Sequence, residues 1–512
     1  MLSPLPTPFE MSNWDKVTIN EIGIRGEILM ENAGREAVFA LINEYGEISG
    51  EQILIIAGPG NNGGDGFVMG RILADMGADV LILHTAPRNR YKGDAAYHMK
   101  IAARLGVTMK YFRESAKVVL PDADIIIDGL LGTGFDGGLR PFALGIVEAV
   151  NRAREKSYVF SIDVPSGLNG LTGNPQPVAV KAHATVTFEN AKVGLALPQA
   201  AEYTGTLIIT PIGIPTEVKY KHPPANFIIR NDVLKHIPQP TATMHKGTSG
   251  HVLLIGASRG LTGALHLAAL AAMRAGAGFA TMACPAALAS EVKGGRPELM
   301  TKALGSTDRW DDQAIAKLLP ELDKYDSVVV GPGLGRDDGA HRLIEALVNN
   351  GHPPAVYDAD ALYVLARHSH LMQSVPRNSI FTPHPGEMGR LVNRSITEIE
   401  SSRIETAHRY AVSKKIYLIL KGAGTVIGCP DGRTMISPIS TPNLAAAGSG
   451  DILAGMIGAL LARSVPPMQS ACIGVYWHGM AGLYLGDKFP YRGNIATEIA
   501  DMLPVVLKEE LC

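Results

Sequence analysis

Short apolar runs rich in Val and Ile recur along this chain, each followed by a stretch with helical spacing. In the first half they fall at residues 53–57, 80–83, 125–127, 159–162, 185–188 and 207–209. In the second they fall at 252–255, 279–283, 327–330, 355–357, 379–381 and 416–420. Most of them do not alternate polar with apolar positions. Near-continuous apolarity marks strands covered on both faces, as in parallel sheets. Strands alternating with helices predict βαβ units and doubly wound α/β folds, a Rossmann-like sheet in the first half and a second α/β domain after it.

At 512 residues the chain is too long for one core. The proline-rich, polar stretch 211–224 separates the halves, which predicts domains at 1–222 and 223–512. Residues 14–44 carry helical spacing and are expected to cap the first sheet. Hydrophobic residues at 46% and charged residues at 19% describe a globular protein, and with a net charge of −2 nothing in the balance favours nucleic acid or an acidic membrane surface, so neither partner is expected. The four cysteines, Cys284, Cys429, Cys472 and Cys512, form no CxxC pair and read as free thiols in a reducing compartment. With no apolar leader and no ~18-residue apolar run, a cytoplasmic protein is expected.

Two glycine-rich loops carry the chemistry. Residues 58–66, GPGNNGGDG, follow an apolar run and precede a helical one. Bare backbone of this kind brings N–H groups close to a ligand, and Asn61, Asn62 and Asp65 add side-chain polarity. The loop is neither a Walker A loop nor a GxGxxG in its usual frame, so a plain dehydrogenase is disfavoured. Asp128, before GLLGTG, and Asp163, opening DVPSG, each end an apolar strand, where open parallel sheets bind ligands. Either aspartate alone would serve as a cap or a turn holder. Three such features at strand ends favour a site.

The string LMENAG at 29–34, followed by GPGNNGGDG, DGLLGTG and DVPSG, resembles the NAD(P)HX epimerase domain over about residues 10–217. That family interconverts the two epimers of hydrated NADH and NADPH at carbon 6 of the nicotinamide ring. The resemblance implies contacts to the dinucleotide from Asn61, Asn62, Gly63, Gly64 and Asp65, and from Gly132, Thr133, Gly134, Phe135, Asp136, Gly137 and Gly138. It also implies that Asn62, Asp128 and Ser166 coordinate a potassium ion, whose hardness suits oxygen donors. Asp163 is implied as substrate contact and acid/base group, since epimerisation at a hemiaminal carbon moves a proton as the C–O bond breaks or the ring opens.

The second loop, AGSGD at 447–451, opens an apolar helix. Loop N–H groups and the positive helix end suit a transferring phosphoryl group, and Asp451 can take a proton from an attacking hydroxyl. A plain N-cap is the bland reading. The loop resembles the GxGD loop of the ribokinase-like fold. HKG at 245–247, GLTGA at 260–264, GPGLG at 331–335, DADAL at 358–362, TPHPGE at 382–387 and LKGAGT at 420–425 resemble, in this order, the ADP-dependent NAD(P)HX dehydratase over about 228–508. That family uses the β-phosphate of ADP to turn the ring hydroxyl into a leaving group, giving AMP, phosphate and NAD(P)H. The resemblance implies hydrate contacts from Ala264, Gly333, His384 and Asp451. It implies adenylate contacts from Lys421, Gly422, Ala423, Gly424, Thr425 and Gly450, with magnesium in attendance and Asp451 catalytic.

Asp358 and Asp360 read equally as sheet-edge or magnesium-associated residues, Glu387 stays open, and His245 and Lys246 read as phosphate contacts or linker. The main alternative is a vitamin or sugar kinase with a non-catalytic N-terminal module. Such kinases often carry Asn-x-x-Glu, which the second half lacks. The small residues of 264–277 also suggest tight packing between subunits, hence a homo-oligomer.

Overall fold

The computed structural model describes residues 1–114, 118–135 and 137–511. The chain divides into two compact units, Pro4–Asn226 and Met1–Ser3 with Phe227–Cys512. A contiguous first domain was expected. Instead β1 (Leu2–Pro4) lies at the edge of the second unit's sheet. Arg230 donates its N–H to the Met1 carbonyl at 2.8 Å, which ties the first residues there.

The first unit holds β2 (Gln52–Ala57), β3 (Asp79–His84), β4 (Thr108–Tyr111), β5 (Ile125–Gly129), β6 (Tyr158–Ile162), β7 (Ala184–Phe188) and β8 (Thr206–Thr210). They form one sheet in the order β4-β3-β2-β5-β6-β7-β8, every pair parallel. Strand order reverses between β2 and β5, so the loops after them part and leave a crevice. The expected N-terminal cap is two helices, Pro8–Val17 and Gly26–Tyr45. The first is started by a capping box of Thr7 and Glu10 and by Pro8. Met11, Trp14 and Val17 anchor it in the core, with the Trp14 Nε1–H donated to the His222 carbonyl at 2.8 Å.

The second unit adds β9 (Asn226–Ile229), β10 (His251–Ile255), β11 (Phe279–Pro285), β12 (Met300–Leu304), β13 (Ser327–Val330), β14 (Ala355–Tyr357), β15 (Ile380–Phe381), β16 (Tyr417–Leu420), β17 (Val426–Gly428) and β18 (Thr434–Ile436). The order is β1-β9-β18-β17-β16-β15-β14-β13-β10-β11-β12. From β12 to β16 the pairs are parallel, and β17 and β18 continue as antiparallel strands. Here the order reverses between β10 and β13.

Helix Thr262–Arg274 packs its small residues inside this unit, against helix Ser449–Ala462. A Cβ on Gly455 would stand 2.0 Å from the Ala268 carbonyl oxygen, so the two backbones touch. The small-residue stripe that suggested subunit packing is thus spent within the chain. Cys284, Cys429 and Cys472 are buried free thiols; Cys512 lies outside the described residues. No helix among the described residues is long and apolar enough to cross a membrane.

Candidate active sites

The first crevice is a cleft of about 910 Å³ at the carboxyl ends of β2, β5 and β6. Asn61, Asn62, Asp65, Gly132, Thr133, Gly134, Phe135, Gly138 and Asp163 line it. Asp136 lies outside the described residues. The run 61–66, expected in a loop, is the first turns of helix Asn61–Asp75, so its leading N–H groups face the cleft unpaired by the helix. Gly63 and Gly64 do not line the cleft; they are packing positions, with a Cβ on Gly64 falling 2.5 Å from the Met30 sulfur. Gly58 is likewise fixed by contact: a Cβ there would lie 1.8 Å from the Leu130 carbonyl oxygen. That approach closes the β2 loop onto the β5 loop.

Asp163 ends β6 with a left-handed φ of 64° and turns its carboxylate into the cleft. Lys192 is ion-paired with it, and the Thr187 hydroxyl donates to the same oxygen at 3.3 Å. Lys192 is 1% exposed. Nothing in the strand pattern announced it, although one lysine in the apolar run 191–195 was a signal. Asp15, from helix Pro8–Val17, also lines the cleft. Burial raises its carboxyl to about 6, with Lys192 opposing and Asp163 and Glu189 adding to the rise. Burial, with Asp163 and Asp15 nearby, also holds Asp65 well above the usual carboxylate range.

Asp128, Ser166 and Asn62 meet behind the 130–131 loop. Asp128 accepts from the Ser166 N–H at 2.8 Å, the Ser166 hydroxyl at 2.5 Å and the Ser161 hydroxyl at 3.0 Å. Burial nevertheless raises its pKa against these donors. Asn62 donates Nδ2–H to the Leu131 carbonyl at 2.6 Å, and its Oδ1 is buried with no hydrogen-bond partner. A buried oxygen left bare beside a buried carboxylate is a place for a cation.

In the second unit the named residues gather at the carboxyl ends of β10 and of β13 to β16. Asp451 is the third residue of helix Ser449–Ala462, whose N-cap Gly448 has φ 86°. Burial lifts its carboxyl to about 7; Asp358 adds, Lys421 opposes, and Glu387 and Asp360 add further. Lys421, after β16, donates to Asp358 Oδ1 at 2.8 Å, and its ammonium lies 3.0 Å from where a Gly450 Cβ would be. Burial works to discharge Lys421, but Asp358, Glu387 and Asp451 outweigh it and its pKa is raised.

His384 caps helix Pro385–Val392, its Nδ1 accepting from the Gly386 N–H at 3.0 Å while Glu387 accepts from the His384 N–H at 2.9 Å. Burial lowers the His384 pKa, with Glu387 opposing. Gly333, φ 61°, lies against the Leu261 carbonyl, 2.1 Å from where its Cβ would be, at the start of the Ala264 helix. Residues 422–425 form the β16–β17 turn, where Gly424 donates to the Ser440 hydroxyl at 3.0 Å. His478, which no motif announced, meets the Ser449 hydroxyl at 3.2 Å, and burial drives it down to about 4.

Two of the open carboxylates are now placed. Asp358 pairs with Lys421, and Asp360 accepts from Arg336 Nε at 2.7 Å and the Gly335 N–H at 3.0 Å. Among the described residues no group of three or more His, Cys, Asp or Glu side chains is arranged to hold a metal.

The NAD(P)H-hydrate dehydratase family profile matches residues 252–505, and that of the YjeF-related protein N-terminus matches 26–194. A bifunctional NAD(P)H-hydrate repair enzyme of Moorella thermoacetica is 36% identical over 98% of this chain and 96% of its own length. The chain belongs to the bifunctional NAD(P)H-hydrate repair enzyme family. An Escherichia coli relative of the same name is 31% identical over 94% of this chain and 90% of itself. Among solved structures, a ribokinase-like superfamily protein of Enterococcus faecalis superposes with a TM-score of 0.50 at 25% identity, over 56% of this chain and 96% of that one. The Rossmann-like and ribokinase-like pair of folds, and membership of this enzyme family, stand as expected from the motifs.

Proposed function

We propose that the first unit interconverts the R and S epimers of NADHX and NADPHX, and that the second returns the S epimer to NAD(P)H by dehydration at the expense of ADP. The observation that carries this is the pairing of two sites in one chain of that family, each with a carboxylate at the crevice of its sheet, Asp163 in one and Asp451 in the other.

In the second site the hydrate's C6 hydroxyl attacks the β-phosphorus of ADP. Asp451, with its pKa near 7, is poised to accept that proton. The N–H groups at the start of its helix and the Lys421 ammonium face the charge of the transferring phosphoryl group. AMP departs, the ring nitrogen expels phosphate, and loss of a C5 proton completes NAD(P)H. The adenylate is read at the turn 422–425 and Gly450, and the hydrate between Ala264, Gly333 and His384.

Potassium fits the first site: Asn62 Oδ1 is bare, and Asp128 and Ser166 supply further oxygens. Bound there, it would lend positive charge beside the phosphates and tie three loops together. Magnesium finds no dedicated carboxylates, since Asp358 and Asp360 are held by Lys421 and Arg336. It enters this reading only as the counter-ion of ADP.

The test is return of reduced-nicotinamide absorbance from mixed NADHX epimers, with ADP and ATP in parallel. Complete recovery with ADP, reduced in D163A to the S fraction, is expected. No recovery from folded protein with either nucleotide would overturn the dehydratase assignment.

A further inference from the structure

The cleft of the first unit has two walls of different origin. Its floor is the loops after β2, β5 and β6, with Asp163 among them. Its roof is helical: Pro8, Met11, Ser12, Asp15 and Ile19 all line it. Pro8, Met11, Ser12 and Asp15 follow one another at the spacing of one helix face, so the first helix lays a stripe over the crevice, with Phe9 beside it and Ile19 contributed by the turn that follows. Asp15 therefore reaches the cleft from its helical wall and Asp163 from its loop wall.

Their surroundings differ. Asp163 is held by the buried Lys192 and by the Thr187 hydroxyl. Among the described residues none donates a hydrogen bond to the carboxylate of Asp15. The charged and titratable groups near Asp15 are Lys192, Asp163, Glu189 and Asp65. A carboxyl group pressed into a cleft without donors keeps its proton more readily than one in open water.

We propose that Asp15 is the second acid–base group of this site, working across the bound ring from Asp163. The proposal rests on the epimerase reading of the first unit. Inverting C6 through loss and return of water requires a proton to be given on one face and taken on the other. Asp15 gives its proton to the C6 hydroxyl. The C–O bond breaks with its electron pair on the departing water, and the lone pair of the ring nitrogen forms a C=N bond. Water then adds to the opposite face of C6 and yields a proton to Asp163, while the C=N pair returns to nitrogen. One water leaves and one enters, one proton is given and one taken, and solvent exchange resets the two carboxyls. The opposite epimer runs the same path with the roles exchanged.

The experiment follows epimerisation of separated R- and S-NADHX without nucleotide, in wild-type, D15N, D15E and D163N proteins over a range of pH, with thermal unfolding as the folding control. D15N is expected to lower kcat by about 100-fold or more while KM changes little. It should also abolish the pH limb that the wild type shows near the Asp15 value of about 6. D15E should recover part of the rate with that limb displaced. Wild-type kcat and an unchanged pH profile in D15N would overturn the proposal. So would a raised KM at unchanged kcat, the mark of a wall contact. If D15N does not fold, D15E decides: a displaced limb supports the proposal and an unmoved one overturns it. A wild-type protein silent on both epimers would overturn the epimerase reading itself.

Discussion

Lys421 reaches from the end of β16 to Asp358 at the end of β14, its ammonium 2.8 Å from the carboxylate, while standing beside the first turn of the helix that carries Asp451. One buried cation thus sets the charge balance of three carboxylates, Asp358, Glu387 and Asp451.

Replacing Lys421 by Met leaves Asp358 buried with only the Thr382 hydroxyl, at 2.7 Å, as a side-chain partner. Removing one member of a buried pair costs roughly 3–5 kcal/mol. The loss should appear as a lowered unfolding midpoint of the second unit. Lys421 opposes the rise of Asp451, so the pH limb of dehydration in any active K421M protein should move up from about 7.

As the proposed base, Asp451 would work only when ionised. Dehydration should therefore fall as pH drops through about 7, the value to which burial and its neighbours lift it. D451N should lose about 10²–10⁴-fold in kcat with NADHX binding kept. The same shift has a sign for stability. The folded pKa exceeds the unfolded one, so this group's contribution is most favourable at low pH and declines as pH rises through about 7. D451N should consequently unfold at a temperature equal to or above that of the wild type in alkaline buffer, measured by calorimetry.

Asn62 Oδ1 is the bare oxygen of the potassium reading. Potassium should raise the unfolding temperature of the first unit more than lithium does. Asn62→Ala should weaken that effect by about tenfold in ion affinity, equivalent to about 1.4 kcal/mol. Titration of unfolding temperature against potassium checks it, and an equal response in the variant would remove Asn62 from the ligand set.

Gly58→Ala sets a methyl 1.8 Å from the Leu130 carbonyl oxygen, which is backbone and must move as a whole. A cost of roughly 1–3 kcal/mol is expected, the usual penalty of overpacking. It should fall on the unfolding of the first unit and leave that of the second unchanged.

Much of this architecture was legible because both sheets are buried on both faces. Ile53 to Ala57 and Val252 to Ile255 are almost wholly enclosed, and so read as unbroken apolar runs. The strands that escaped notice lack a long unbroken run. β4 is polar and largely exposed, β17 and β18 are buried but span only three residues each, too short to read as a run, and β9 and β1 are completed by each other across more than 220 residues. At the sites, loop motifs named the backbone and Asp163, Asp128 and Asp451. Lys192, Asp15 and His478 were hidden because their partners are distant in sequence, and neither charge nor spacing tells which strand end a lone side chain will meet. The motif also misplaced the helix start: glycine-rich sequence suggested a loop through residue 66, whereas tight packing on Gly58 and Met30 lets the helix begin at Asn61.

The edge strand β1 has one more meaning. Leu5 donates its N–H to the Asn226 carbonyl at 2.9 Å, so the chain enters and leaves the first unit at adjoining points. In the order of the chain, residues 4–226 are therefore a cassette inserted between the paired edge strands β1 and β9 rather than a segment that simply precedes the second unit. Joining Ser3 to Phe227 through a short turn would lift the cassette out with that pair closed. Simple truncation before Phe227 would strip β9 of its neighbour and bare an unpaired edge to solvent and to other chains.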